Sequence, residues 1–450
     1  MKNALGILFL LMIFSCESPN GGTSDTVDSV IPLDTVLKLD TVPPTTIVPS
    51  DSIQVPDYMP PHQFSDLPVI AIYTESNQII DSNKVYVPCV VRIVGNGHYG
   101  DYFSPNAKVK TRGNSTLKYY PKKPYRIKLA EGAEVLGMAP NKDWVLLANY
   151  RDPTFLMNAV AFDMARYLGM EFANTNRFAE LYVNDEYLGL YQITEQVEQA
   201  KSRVNISKNG GVLYHLDRDD GPELSPQNTD NFYSEIYKLP VNIKYPKNQN
   251  PEQLEQLKND FAILEEIIKN KDYDQLQSAM DVQTLIDFLI IQELTRNVEL
   301  VSPRSMFMYK DGDFKYHFGP VWDFDGGFAF DWSSMSQSHN YFGSQSWLMG
   351  ESNPATNPRT AYNKIPGFFV DMFANNEFVL VYQNRWQQVH SGLEQYVMEH
   401  IDSYENKLQH ALGRNAERWP IDKDHSMEIA NLKYWLKTRI SAYTSVVNKY

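Results

Sequence analysis

The chain has 450 residues, 43% hydrophobic and 21% charged, enough apolar side chain for two or three domains or one elaborated two-lobed one. Its net charge is −14, so an anionic ligand must be held by a local cationic pocket, and nonspecific nucleic-acid binding is argued against.

The first residues read as a targeting segment. Lys2 gives a positive start, and Ala4 to Phe14 are apolar but too few to span a bilayer as a helix. They end in Ile13-Phe14-Ser15-Cys16, which resembles a bacterial lipobox. That resemblance implies a signal peptide at 1–15 and lipidation of Cys16. The product would be an exported, membrane-anchored lipoprotein on the periplasmic or cell-surface face. Cys89 is then the one cysteine left; it lies in the apolar run Val87-Pro88-Cys89-Val90-Val91 and is expected as a core thiol without a disulfide. Residues 16–64 turn to Ser, Thr, Pro and Asp, with Asp-Thr-Val at Asp25, Asp34 and Asp40. Such a segment buries too little apolar surface to offset its ordering entropy, and a disordered tether is expected.

From Leu67 to about Tyr191 the pattern is mainly of strands. Val69 to Tyr73 and Val87 to Val94 are apolar runs of strand length, Ala107 to Thr111 and Tyr125 to Leu129 alternate with period two, and Glu180 to Gln192 reads as a hairpin turning at Asn184-Asp185. Gly95-Asn96-Gly97-His98-Tyr99-Gly100 has the form G-x-G-x-x-G but no helix follows it, so a hairpin tip is the preferred reading over a phosphate loop. One helix interrupts the strands, opening at Asp152-Pro153 and ending at Gly169. Beyond about Gly210 helices are expected at Pro251 to Lys269, Asp281 to Arg296, Pro366 to His400 and Met427 to Asn448, with a β-like island at Ser305 to Phe330. The Leu285 to Leu294 stretch contains Asp287 and reads as a core helix rather than a membrane span. The expected class is α+β, with a strand-rich lobe at 65–209 and a helix-rich lobe at 210–450.

Two segments carry candidate chemistry. Lys108 to Thr116 and Lys122 to Leu129 gather Lys110, Arg112, Arg126 and Lys128; residues two apart on a strand share a face, so Arg126 and Lys128 point away from a core made by Tyr125, Ile127 and Leu129. Such a cationic face suits phosphate, although a solvated strand face has the same composition. The second segment is Gly319-Pro320-Val321-Trp322-Asp323-Phe324-Asp325-Gly326-Gly327. At a strand end Asp323 and Asp325 would share one face, as a hard divalent cation requires, and the glycines would let backbone approach a ligand; an Asp-capped turn is the plainer alternative. Asn297 and Glu299 close a long apolar helix shortly before it. His98, His215, His317 and His339 show no paired spacing, so no zinc site is expected.

In chain order, Arg112-Gly113-Asn114-Ser115-Thr116, Lys122 to Leu129, Lys142 to Tyr150, Glu180 to Asn184, Tyr187 to Tyr191 with Glu195, and Pro320 to Asp325 resemble the CotH family of atypical secreted protein kinases, over roughly Leu67 to Trp332. The resemblance implies a protein-kinase-like two-lobed fold that binds ATP with Mg²⁺ or Mn²⁺ and phosphorylates Ser/Thr hydroxyls of exported or surface proteins. It implies phosphate contacts from Arg112 and from Lys128 or Arg126, with Glu195 also at the nucleotide site. Asp323 would be the metal-holding carboxylate, Asp325 an accessory one, and the loop from Asn297 to Ser305 the catalytic loop. Glu299 stands where the family usually has Asp, Arg304-Ser305 where a second Asn is common, and Met157 where Arg is expected before Asn158. A catalytically degenerate surface binding or adhesion lipoprotein is the alternative reading.

Overall fold

The computed structural model describes Ile53 and residues 66–300, 303–328, 330–331, 336–337 and 367–450, all within one compact unit spanning 49–450. Cys16, the apolar segment before it, and the 16–64 tether apart from Ile53 lie outside the described residues.

Seven strands close into a barrel: β1 (Val69–Thr74), β2 (Val87–Val94), β3 (Tyr102–Thr111), β4 (Tyr125–Val135), β5 (Met138–Leu147), β6 (Arg177–Val183) and β7 (Glu186–Glu195), in the order β1-β2-β3-β4-β5-β7-β6. The parallel pairing of β1 with β6 completes it. Inside lie Ile70, Ile72, Val91, Val109, Ile127, Trp144, Leu146 and Ile193. β1 is buried throughout, and apolar up to Tyr73, because both of its faces are covered: Val69, Ala71 and Tyr73 pack outside the barrel against Val90 and Tyr182. Cys89 is 1% exposed in the barrel core, and burial pushes its thiol pKa up, as expected of an inert core cysteine. The 95–100 segment is the β2–β3 connection. A Cβ on Gly95 would collide with the Tyr99 carbonyl, so that glycine serves the turn.

On β5, Val145 and Leu147 face the opposite way from Trp144 and join the larger core. This core contains α2 (Met157–Leu168), which ends at Gly169 in the left-handed conformation (φ 78°). It also contains a five-stranded antiparallel sheet in the order β12-β11-β8-β10-β9, built from β8 (Val212–Leu216), β9 (Asn231–Tyr233), β10 (Pro240–Tyr245), β11 (Met306–Lys310) and β12 (Tyr316–Phe318). Strands β8 to β10 are an addition to the chiefly helical pattern expected, and found, after Gly210. All five residues of β8 are buried, and so short an apolar run has no periodicity to separate strand from helix.

Helices α3 (Pro251–Asn270), α5 (Val282–Thr295) and α8 (His425–Val447) fall where expected. α5 is buried on every side from Leu285 to Thr295, as a core helix should be. The helix expected from Pro366 to His400 is a short one at Gly367–Val370, a 3₁₀ turn, and then a 43-residue helix, here α7 (Asn376–Arg418), that packs on α2, α8 and β7. Among the described residues no helix is long and apolar enough to cross a membrane. The mixture of helices and strands is the α+β class expected; closure of the strand-rich part into a barrel goes beyond that expectation.

Candidate functional site

The site grows from the end of α5. Buried Arg439 donates to the carbonyls of Glu293 and Leu294, Arg296 turns left-handed (φ 51°), and Asn297 N donates back to Gln292 O. The chain therefore leaves a fixed helix end at Asn297, and a 3₁₀ turn follows at Val298–Leu300. Asn297 Nδ2 then donates to Asp323 O at 3.1 Å, and Asn158 Oδ1, at the start of α2, accepts from Phe324 N at 2.8 Å. Trp322 and Phe324 are buried beneath, with Trp322 stacked on Phe162 at 5.7 Å.

The Trp322–Asp325 segment is not a strand: β12 stops at Phe318, no strand pairs with 321–325 among the described residues, and the side chains of Asn158 and Asn297 hold its backbone in place of a ladder. Asp323 adopts φ 66°, a conformation that Asp tolerates better than most residues and that recurs at functional positions. Gly327 serves packing rather than ligand approach, since a Cβ there would lie 3.3 Å from Phe324 O.

Above this floor lies a cavity of about 940 Å³, walled by the barrel on one side and the second sheet on the other. Arg112, Arg126, Glu299, Asp323 and Asp325 all line it. Arg112 lies over the Trp322 ring at 5.3 Å and beside Asp323; loss of hydration lowers its pKa to about 10 against the pull of Asp323. Lys110 also lines the cavity, as do Arg151 and Arg304. Two expected residues do not line it. Lys128 is about half exposed and reaches back to Asp143 at 3.6 Å. Glu195 is buried under Thr175, accepting from its N at 2.7 Å and its hydroxyl at 2.6 Å. Their cavity-lining neighbours are Arg126, held by Asp143 at 2.6 Å, and Glu198, 3.6 Å from Arg126. Burial and then Asp143 push the Glu198 carboxyl up to about 7.

Burial, more than any imbalance of charge, sets the state of the carboxylates on this floor. Desolvation, followed by Asp323 and Asp325, holds Glu299 well above the usual carboxylate range. Desolvation and Asp323 push Asp325 up to about 7, opposed by Arg151. Asp323 is raised by desolvation and restrained by Arg112 and by the Ser305 hydroxyl, which donates to its Oδ2 at 3.2 Å. The same Ser305 donates its N–H to Asp217 Oδ2 at 3.2 Å, so one residue joins the Asp323 group to the second sheet. Sequence reasoning passed over Asp217, Arg151 and Glu198; the acidic run Asp217-Arg218-Asp219-Asp220 directly after an apolar strand was the available signal.

Chemically, the site offers oxygen ligands for a hard cation beside guanidinium groups for phosphate. The sequence profile of the family described as CotH kinase protein matches residues 109–443, whereas no curated protein matches the chain. The match runs from β3 to the last turns of α8, well over half of the sequence and farther than the motifs alone extend. The chain belongs to the CotH kinase family.

Proposed function

We propose that this CotH kinase family member transfers the γ-phosphoryl group of ATP to Ser or Thr hydroxyls of exported or surface proteins. In this reading the barrel is the first lobe of a kinase-like pair and residues 210–450 form the second. The observation that carries it is the convergence of Asp323, Asp325 and Glu299 with Arg112 and Arg126 on one cavity, in a chain of this family.

The residues fit the groups this requires. Asp323 and Asp325 present oxygen donors whose pKa values burial raises first of all, a cost that a bound cation would relieve, and they would hold Mg²⁺ or Mn²⁺. When bound, the ion would offset the charge of the phosphate oxygens. Arg112 and Arg126 supply fixed guanidinium donors for phosphate, and Lys110 adds a point charge. Asn297, Asn158 and Ser305 hold the Asp323 segment in place. Glu299, its affinity for protons raised by burial and then by Asp323 and Asp325, is the group suited to take the proton of an acceptor hydroxyl. Anchoring through a lipidated Cys16 would place this chemistry at a membrane surface; Cys16→Ser should move the protein out of the membrane fraction, and unchanged fractionation would remove that part.

The deciding experiment is transfer of label from γ-labelled ATP to a panel of secreted proteins with Mg²⁺ or Mn²⁺, alongside thermal melting with a non-hydrolysable ATP analogue. Transfer with a raised melting temperature is the expected result. A raised melting temperature without transfer would favour a catalytically degenerate binding lipoprotein, and neither effect would end the nucleotide reading altogether.

A further inference from the structure

The second sheet brings a histidine to the same cavity, on the wall away from the barrel. His215 lies on β8, between Asn242 of β10 and Phe307 of β11, and its ring is stacked on Phe307 at 4.3 Å and 14°. The residue is 6% exposed. Its Nε2 is 3.1 Å from Asp217 Oδ2, whereas its Nδ1 is buried without a hydrogen-bond partner and faces Asp220 Oδ2 at 3.6 Å. One ligand atom from each of His215, Asp217 and Asp220 lies within 4.8 Å of the others. We propose that His215, Asp217 and Asp220 form a second divalent-cation site in the cleft, one that takes a first-row transition ion such as Mn²⁺ or Co²⁺ in preference to Mg²⁺.

The choice of ion follows from the donors. Imidazole nitrogen suits borderline ions and is a poor ligand for Mg²⁺, while the two carboxylates bring the charge a divalent ion needs. A buried nitrogen lone pair aimed at a carboxylate is unfavourable unless a cation or proton lies between them. The stacked ring and the Ser305 N–H on Asp217 already fix two of the three ligands. Lys244 Nζ sits 2.7 Å from Asp220 Oδ2, the oxygen that Nδ1 faces, and so competes for the ion's place. The inference needs no nucleotide and stands apart from the phosphotransfer reading.

The test is a Mn²⁺ titration of the full chain without nucleotide, with free Mn²⁺ counted by electron paramagnetic resonance. Asp323→Asn/Asp325→Asn, which removes the other oxygen site, should still bind one Mn²⁺. Adding Asp220→Asn should weaken that ion at least about tenfold, because a charged ligand oxygen becomes a neutral one. Lys244→Met should tighten it by a similar factor, because the ammonium that competes for Asp220 is gone. Absence of the ion in the double variant, or indifference to both further changes, would overturn the proposal. Should those variants fail to fold, pulsed resonance on the wild-type protein decides instead. Nitrogen coupling to bound Mn²⁺ supports the site, and bound Mn²⁺ with no nitrogen coupling sinks it.

Discussion

The seam between the barrel and α7 and the floor of the cleft both take charge out of water, but they balance it differently. In the seam the buried charges find built-in hydrogen-bond acceptors and donors. Glu180 is fully buried and receives Arg414 through two bonds at 2.7 and 2.8 Å, with Tyr187 donating at 3.1 Å. Lys122, fully enclosed, donates to the Leu190 carbonyl and to Asn415 Oδ1, between the rings of Phe155 and Tyr191. On the cleft floor three carboxylates crowd together, and burial leaves all three with raised pKa values despite Arg304, Arg112 and Arg151 beside them. Buried charge held by partners within the fold fixes that fold, whereas carboxylates crowded and desolvated beside a cavity prepare a site for a cation that arrives later.

The strongest way to break this comparison is to unbalance the seam. Arg414→Ala would leave Glu180 buried and unpaired, and should cost about 3–5 kcal/mol in urea unfolding. A loss within about 0.5 kcal/mol would mean that the pair is no more structural than a surface one. On the floor the same kind of change should act differently. Asp323→Asn should lower phosphoryl transfer about 10²–10³-fold, the scale of removing one electrostatic interaction with a transition state. Because it removes one of several repelling carboxylates, it should leave the metal-free melting temperature unchanged or higher. Full transfer activity in this variant would sink the mechanism.

A third measurement separates the regions by pH. Asp325 has its folded pKa raised to about 7, so the folded state holds its proton more tightly than the unfolded chain does. Such a group takes stability away as pH rises from the ordinary carboxylate range near ~4 towards ~7. Metal-free protein should therefore lose stability over that window, and Asp325→Asn should recover on the order of 2 kcal/mol at the upper end. Identical pH profiles for the two proteins, followed by thermal melting without metal, would show that the floor is neutralised by some other means.

Much of this was legible in the sequence where one element decides. The alternation of β4 correctly separates buried Tyr125, Ile127 and Leu129 from outward Arg126 and Lys128, because pleating alone sets it. The apolar run of α5 and the Asn184-Asp185 turn are similarly local. What was not legible depends on partners distant in sequence. Barrel closure needs Val69 beside Glu180. Ser305 joins Asp217 to Asp323 across long stretches of chain. Glu195 and Glu198 look equally available in the sequence, yet the first is taken by Thr175 and only the second lines the cavity.

Arg126 and Lys128 supply the smallest and most discriminating test. They share one face of one strand and carry the same charge, so composition and pleating cannot rank them. Tertiary packing does. Asp143 holds Arg126 at 2.6 Å and keeps its guanidinium against the cavity, while Lys128 remains about half exposed with a looser approach to the same carboxylate. A solvated ammonium outside the cavity is screened and contributes little to a ligand within it. Arg126→Ala should therefore weaken binding of an ATP analogue about tenfold, as expected when one charge-assisted hydrogen bond is removed. Lys128→Ala should change it less than about twofold. Isothermal titration at two salt concentrations checks both: the Arg126 effect should persist at high salt, and any residual Lys128 effect should vanish. A reversed order would place the phosphates on the outer face of the barrel, and the carboxylate floor would then no longer be where the nucleotide meets its metal.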